Sequence, residues 1–175
     1  MNTSTWSVRR LHALDDAQID QLACVLSDCV DGGASVSFMR PLTHERAVAF
    51  WRGVAQGVAA GERALLVAED AHGICGTVHL VLSQPENQPH RAELSKMLVH
   101  RRARCQGVGA ELLQAAEDTA RECEKSLLVL DTASDEAERL YERQGWMRVG
   151  VIPGYALLSE GGLCATTLYY RNLGA

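Results

Sequence analysis

The chain has 175 residues, of which 47% are hydrophobic and 22% charged, and its formal net charge is −5. That length predicts a single domain over residues 1–175, and the acidic balance argues against a nucleic-acid partner. The sequence contains no leader-like segment, no apolar run of membrane-spanning length and no Cys-x-x-Cys pair. We therefore expect a cytoplasmic protein, monomeric or homodimeric, that has no metal ion and no membrane partner.

The first half of the chain predicts a strand, two helices and a hairpin. In chain order, the predicted elements are a strand over 7–11, a helix capped at Asp15 and stopped at Gly32, a helix capped at Thr43 and ending at Gly61, and hairpin strands over 64–68 and 74–82. Asp15 and Gln18 have the spacing of a capping box, and the apolar residues that follow keep the period of a helix.

The second half of the chain alternates strands with helices. In chain order, it predicts a strand over 91–100, a helix over 108–123, a strand over 127–131, a helix capped at Ser134 and ended by Gly145, a strand over 147–152, a Pro153-Gly154 turn and a strand over 165–171. The strand over 127–131 is nearly all apolar, which is typical of a strand buried on both faces. This order of elements predicts an α/β fold.

A glycine loop opens the predicted helix over 108–123. Arg104 is followed by Gly107 and Gly109. Glycine allows close backbone approach, and the first N–H groups of a helix attract an anion. No Gly-Lys-Ser/Thr sequence follows, and Leu112 stands where a dinucleotide loop has its third glycine. The spacing resembles motif A of the GNAT family of N-acetyltransferases, which holds the pyrophosphate of acetyl-CoA. A tight strand-to-helix turn is the alternative.

A second segment resembles motif B of the same family, whose usual form is Asn-x-x-Ala-x-x-Leu-Tyr followed by Gly-Phe. Here Ser134 replaces the asparagine and Trp146 the phenylalanine, while Ala137, Tyr141 and Gly145 match the motif. Ala137 lies one helical turn before Tyr141, so its small side chain leaves room beside the phenol. The two motifs occur in the family's order, and the resemblance covers roughly residues 60–172.

The resemblance implies the GNAT acyl-CoA N-acyltransferase fold, a central mixed β-sheet flanked by helices, with acetyl-CoA as co-substrate. It also implies a role for Tyr141 as the acid that protonates the leaving thiolate, although a packing role in the core is the alternative. The cofactor-binding residues that it implies are Met97, Leu98 and Val99, with the Val99 N–H donating to the thioester oxygen, then Arg104, Cys105, Gln106, Gly107, Val108, Gly109 and Ala110 around the pyrophosphate, and Ser134 with Ala137.

Two carboxylates are candidates for the base that deprotonates the acceptor amine. Glu93 lies eleven residues before Arg104, the separation at which the histone-acetylating branch of the family places its glutamate. Asp131 ends the apolar strand over 127–131, where partial desolvation would favour a base. A surface position for Glu93 and a turn-capping role for Asp131 are the alternatives.

The acceptor-binding residues are expected outside the two motifs. Gly33, Ser35 and Phe38 in the 32–39 loop, together with Arg91 and Tyr155, resemble segments of the tabtoxin-resistance acetyltransferases, which modify a small β-lactam amino acid. The resemblance therefore implies toxin resistance by acetylation of a small-molecule amine. Other acceptors are the alternatives: a peptide N-terminus, a polyamine, an aminoglycoside or a phosphinothricin-like amino acid. A catalytically weak acyl-CoA sensor on the same fold is the non-enzymatic alternative.

Overall fold

The computed structural model describes residues 6–174, which form one seven-stranded mixed sheet with helices on both faces. The elements are β1 (Ser7–Leu11), α1 (Asp16–Asp31), α2 (His44–Ala59), β2 (Arg63–Asp70), β3 (Gly73–Val81), β4 (Arg91–Val99), α3 (Val108–Glu122), β5 (Leu127–Thr132), α4 (Asp135–Arg143), β6 (Met147–Leu157) and β7 (Leu163–Asn172). Their order along the chain is the predicted one, and across the sheet they run β1-β2-β3-β4-β5-β7-β6. No helix in the described part of the chain is long and apolar enough to cross a membrane.

The sheet separates two hydrophobic cores. Helices α1 and α2 cover one face, where Leu22 and Trp51 pack against Leu65 of β2. Helix α3 covers the other face, where Leu112 packs against Leu66. Leu65 and Leu66 are neighbours in β2 and are both buried, because successive side chains of a strand point to opposite faces.

The predicted helix ends are present. Asp15 accepts a hydrogen bond from the Gln18 N–H at 2.8 Å, and the Gln18 side chain accepts from the Asp15 N–H at 3.0 Å, which completes the capping box. Ser134 caps α4 by accepting from the Ala137 N–H at 3.3 Å. Gly145 follows α4 with φ of 79°, a left-handed conformation that costs glycine little. These signals are local in the sequence, and each is confirmed.

The parallel strands β4 and β5 diverge soon after they meet. Their register extends only from Arg91 opposite Leu127 to Glu93 opposite Val129. Beyond this point β4 continues to pair with β3, while β5 continues to pair with β7 as far as Thr132. The centre of the sheet therefore contains a gap that is bounded by two unpaired strand edges.

The predicted Pro153-Gly154 turn is wrong. Both residues lie inside β6, in an irregular stretch where the pairing with β7 shifts between Ile152 and Ala156. Proline is tolerated there because β6 is the edge strand and Gly154, at φ of 61°, accommodates the irregularity. The chain turns instead over residues 158–162.

Candidate active site

The gap between β4 and β5 opens into a cleft of about 1360 Å³. The cleft is lined by the glycine loop and α4, and by the 32–39 loop and the β6–β7 hairpin. The predicted site residues that line it are Gly33, Ser35, Phe38, Glu93, Met97, Leu98, Val99, Arg104, Cys105, Gly107, Val108, Gly109, Ala110, Asp131, Ser134, Ala137, Tyr141 and Tyr155. Arg91 and Gln106 do not line it.

The glycine loop has the geometry of an anion site. Gly107 has φ of 94° and precedes the first residue of α3. The N–H groups of Val108 and Gly109 have no acceptor among residues 6–174, as expected for the first turn of a helix. A Cβ on Gly109 would lie 3.3 Å from Leu140 Cδ2, so the glycine also lets α3 and α4 approach closely. The loop therefore fits a pyrophosphate group. Gln106 instead turns away, and its side chain donates to the Arg102 carbonyl at 2.9 Å.

The end of β4 presents its backbone to the gap. The His100 N–H donates to the Cys75 carbonyl of β3 at 2.8 Å. In an antiparallel ladder adjacent residues alternate in direction, so the N–H and carbonyl of Val99 point away from β3 and toward the gap. The Val99 carbonyl accepts from Arg104 Nε at 3.0 Å and from Cys29 Sγ at 3.6 Å. Arg104 therefore fixes the Val99 peptide as well as placing a positive charge beside the loop.

Tyr141 of α4 is buried beside the gap with only 3% of its surface exposed. Its ring packs 5.7 Å from Trp146 and 5.8 Å from Tyr169, measured between centroids. Its hydroxyl makes no hydrogen bond to any residue in the described range. Burial raises the pKa of Tyr141 well above its usual value, and the negative charge of Asp131 adds to the shift. The phenol therefore keeps its proton at neutral pH and can donate it.

Glu93 and Asp131 lie on the same face of the sheet, where the two strands part. Leu94 and Leu130, their neighbours in sequence, pack into the α3 core, so both carboxylates point to the side of α1 and α2. Both residues are exposed, so the expected desolvation of Asp131 is wrong; the diverging strands leave it open to solvent. Asp131 Oδ2 accepts a hydrogen bond from Thr166 Oγ1 at 2.7 Å, which orients the carboxylate.

Lys96 is a residue of the cleft that the sequence analysis missed. It sits in a β-bulge of β4 with φ of 52°, in the left-handed region that non-glycine residues rarely occupy. Its Nζ donates to Ser37 Oγ at 3.2 Å and lies 5.7 Å from the centroid of the Phe50 ring. A single cation within the apolar run over 94–99 was the available signal.

The 32–39 loop and the β6–β7 hairpin contact each other beside the cleft. Ser35 Oγ donates to the Leu157 carbonyl at 3.3 Å, and the ring of Phe38 packs edge-on against Phe50 at 5.3 Å. Tyr155 is 54% exposed at the rim. Arg91 lies where β4 is still paired with β5, and its Nε donates to the Gln88 side chain at 2.8 Å, so it does not face an acceptor.

No group of three or more metal-binding side chains occurs among residues 6–174. The cleft instead combines an anion-binding loop, an oriented backbone N–H, two carboxylates and a protonated phenol. This set can bind a phosphorylated thioester, polarise its carbonyl, accept a proton from an amine and protonate a thiolate.

Comparisons with known proteins agree with this chemistry. A family model described as an acetyltransferase (GNAT) domain matches residues 61–148. An uncharacterized N-acetyltransferase from the hisH–hisA intergenic region of Azospirillum brasilense is 30% identical over 127 residues, which are 71% of this chain and 74% of that protein.

Two solved structures share the fold at lower sequence identity. A phosphinothricin acetyltransferase from Sinorhizobium meliloti, in complex with acetyl-CoA, is 16% identical with a TM-score of 0.78, and the match covers 97% of this chain and 89% of that one. A ribosomal-protein-alanine N-acetyltransferase from Brucella melitensis is 21% identical with a TM-score of 0.79, over 95% and 99%. These two proteins are named for different acceptors, so the fold alone does not identify the acceptor of this chain.

Proposed function

The chain belongs to the GNAT family of acetyltransferases, and we propose that it acetylates the amine of a small zwitterionic amino acid. It is an acetyl-CoA-dependent N-acetyltransferase, so the proposal concerns the acceptor and the roles of the residues. The observation that carries the proposed roles of the residues is the placement of Glu93 and Asp131 on one face of the sheet, where β4 and β5 part.

Acetyl-CoA supplies an acetyl group activated as a thioester. In the proposal, the N–H groups at the start of α3 hold its pyrophosphate, and α4 closes the other side through Ser134 and Ala137. The unpaired edge of β4 from Met97 to Val99 offers backbone hydrogen bonds to the rest of the molecule. The N–H of Val99 faces the gap and donates to the thioester oxygen as negative charge develops on it.

The carboxylates act on the acceptor. An alkylammonium with a pKa near 10.4 is neutral in about one molecule in 10³ at pH 7, a cost of roughly 4 kcal/mol. A positioned base offsets much of this cost, since general-base catalysis is worth about 10² to 10⁴ in rate. Glu93 or Asp131 accepts the proton, directly or through water, while the nitrogen attacks the carbonyl carbon.

Tyr141 completes the transfer. As the carbon–sulfur bond breaks, the CoA thiolate takes the phenolic proton and becomes the free thiol. The acceptor leaves as an amide, with the acetyl group bonded to its nitrogen. Burial holds Tyr141 in the protonated form that this step requires. The absence of a competing hydrogen bond to its hydroxyl within residues 6–174 leaves the proton free for the thiolate.

The acceptor assignment rests on the 32–39 loop and the rim. The segments containing Gly33, Ser35, Phe38 and Tyr155 resemble those of the tabtoxin-resistance acetyltransferases, which favours a toxin of the tabtoxinine-β-lactam kind. The fold neighbour named a phosphinothricin acetyltransferase is consistent with an amino-acid acceptor. A polyamine or an aminoglycoside is the second candidate acceptor, because the carboxylates in the cleft would attract a polycation.

A competition assay tests the acceptor. Release of the CoA thiol is measured with tabtoxinine-β-lactam, phosphinothricin, spermidine, kanamycin and a peptide with a free N-terminus. The proposal expects the highest kcat/KM for one of the two amino acids. A clear preference for the polyamine, the aminoglycoside or the peptide contradicts the acceptor assignment and leaves the acetyltransferase activity in place. Binding of acetyl-CoA without transfer to any amine indicates a sensor.

A further inference from the structure

We propose that Lys96 binds the carboxylate of the acceptor and so restricts the enzyme to amino-acid acceptors; this inference rests on the proposed function. Lys96 lines the cleft between the 32–39 loop and the two carboxylates. The opposite charges at this point match a zwitterion, whose ammonium faces Glu93 or Asp131 while its carboxylate meets the ammonium of Lys96.

The β-bulge is the first observation that supports this role. Before the bulge, Leu94 of β4 packs into the α3 core, whereas Leu98 after the bulge packs into the core of α1 and α2. In a regular strand Lys96 would point with Leu94 into the α3 core, because residues two apart share a face. The bulge instead directs its side chain to Ser37 and Phe50, on the side of the sheet where the acceptor loop lies.

Backbone strain is the second observation. A non-glycine residue in the left-handed region costs roughly 1–2 kcal/mol. A bulged strand that bends at this point could hold a glycine without this cost, yet the chain holds a lysine at φ of 52°. Strain of this kind concentrates at ligand-binding positions, where a side chain must be aimed in a direction that regular structure does not provide.

The third observation is that Lys96 is only partly satisfied. An ammonium has three donors, and the structure gives that of Lys96 one hydrogen bond, to Ser37 Oγ. None of the ion pairs among residues 6–174 includes Lys96. Burial lowers the pKa of Lys96, and although Asp131 and Glu93 oppose this shift, Arg63 adds to it. A bound carboxylate would supply the missing acceptors and an opposite charge.

The other cations that line the cleft lie elsewhere. Arg104 belongs to the glycine loop and is bonded to the Val99 carbonyl, and Arg139 with Arg143 lies on α4. The Arg104 guanidinium does lie beside Gly32, at the start of the 32–39 loop. Among the described residues of the cleft, Lys96 is the cation that donates a hydrogen bond to this loop, through Ser37. Arg91, which the sequence analysis placed among the acceptor-binding residues, is bonded to Gln88 and does not line the cleft.

The test compares two variants on matched acceptors. Lys96→Met removes the charge while keeping the length of the side chain, and Lys96→Arg keeps the charge. Thiol release is measured with phosphinothricin and the standard L-amino acids, each paired with its α-carboxamide, which retains the amine and loses the carboxylate. Acetyl-CoA affinity and the melting temperature are measured in parallel, because neither should change in either variant.

We expect Lys96→Met to lower kcat/KM for the amino acid about tenfold or more, mainly through KM, and to leave the carboxamide unaffected. Lys96→Arg should recover part of the loss. An equal loss on both acceptors means that Lys96 acts on the reaction and not on the carboxylate, which overturns the proposal. No loss on either acceptor, or a wild-type enzyme that prefers the carboxamide, overturns it as well.

A binding measurement separates this proposal from the proposed function. The chain has two lysines, Lys96 and Lys125. Lys125 donates to the Pro89 carbonyl and does not line the cleft. Protein labelled with 13Cε-lysine gives one NMR signal for each lysine, and the signal that is lost in Lys125→Arg belongs to Lys125, so the other belongs to Lys96. Phosphinothricin, but not its α-carboxamide, should raise the pKa of Lys96 in the titration. If wild-type protein acetylates no amine, the proposed function fails, and the titration still decides whether Lys96 binds the carboxylate.

Discussion

Replacing Tyr141 by phenylalanine should separate its chemical role from its packing role. The residue is 3% exposed and packs against Trp146 and Tyr169, and its hydroxyl bonds to none of the described residues. Phenylalanine keeps the ring in place, so the free energy of unfolding should change by less than about 1 kcal/mol. The loss of the acid should lower kcat by about 10² to 10⁴ while the KM for acetyl-CoA stays nearly unchanged.

Tyr169→Phe is the matched control. The Tyr169 hydroxyl lies 3.1 Å from a carboxylate oxygen of Glu138 and 3.0 Å from one of Glu142, and it has one proton to donate to them. Its removal should therefore cost about 1 kcal/mol of stability and little activity. Steady-state kinetics, single-turnover kinetics and thermal unfolding of both variants provide the measurements. The role of Tyr141 as acid is refuted if Tyr141→Phe keeps the wild-type rate in single turnover, or if both variants lose activity only in proportion to stability.

Three further predictions concern the loop, the base and the core. Gly107→Val should abolish acetyl-CoA binding in calorimetry, because φ of 94° strains a β-branched residue, whereas Gly53→Ala in α2, where an added Cβ meets nothing within 4 Å, should bind normally. Glu93→Gln or Asp131→Asn should lower kcat/KM most at low pH, where the amine is charged; two unchanged pH–rate profiles would exclude both residues as the base. Burial lowers the pKa of His79 to about 3. Below pH 6.5 the unfolded chain therefore binds a proton at His79 that the folded protein does not bind. Chemical denaturation should therefore show stability that starts to fall near pH 6.5 and falls by about 1.4 kcal/mol per pH unit between about pH 5.5 and 4, with a weaker slope in His79→Gln.

The order of the elements was predictable because its signals lie within a few residues of one another. The capping box of Asp15 and Gln18, the cap at Ser134 and the left-handed Gly145 each depend on side chains or torsions of one turn. The glycine loop was equally readable, since its chemistry is carried by the backbone of adjacent residues. Tyr141 could be placed beside this loop through the resemblance alone, because no local signal relates α4 to α3.

The errors fall where pairing between distant segments decides the structure. Pro153 and Gly154 have the composition of a turn, but β7 pairs along the strand on both sides of them, and Gly161 with Gly162 supplies the left-handed residues of the actual turn. The exposure of Asp131 could not be read from an apolar strand, because it depends on how far β4 and β5 separate. Arg91 was misplaced for the same reason, since it lies on the paired side of the point of separation.

If Lys96 has the proposed role, acceptor selectivity is harder to predict from sequence than cofactor binding. The cofactor loop needs only N–H groups and glycine torsions, which a short motif specifies. The proposed acceptor site combines a strand irregularity, the 32–39 loop and the rim at Tyr155, which lie far apart in sequence. Loss of the bulge in β4 would return Lys96 to the face of Leu94 and so remove the cation from the proposed acceptor site, while Glu93, which precedes the bulge, would keep its position. Under the proposal, a change at the bulge alters recognition of the acceptor carboxylate without moving Glu93, so one fold could serve different acceptors.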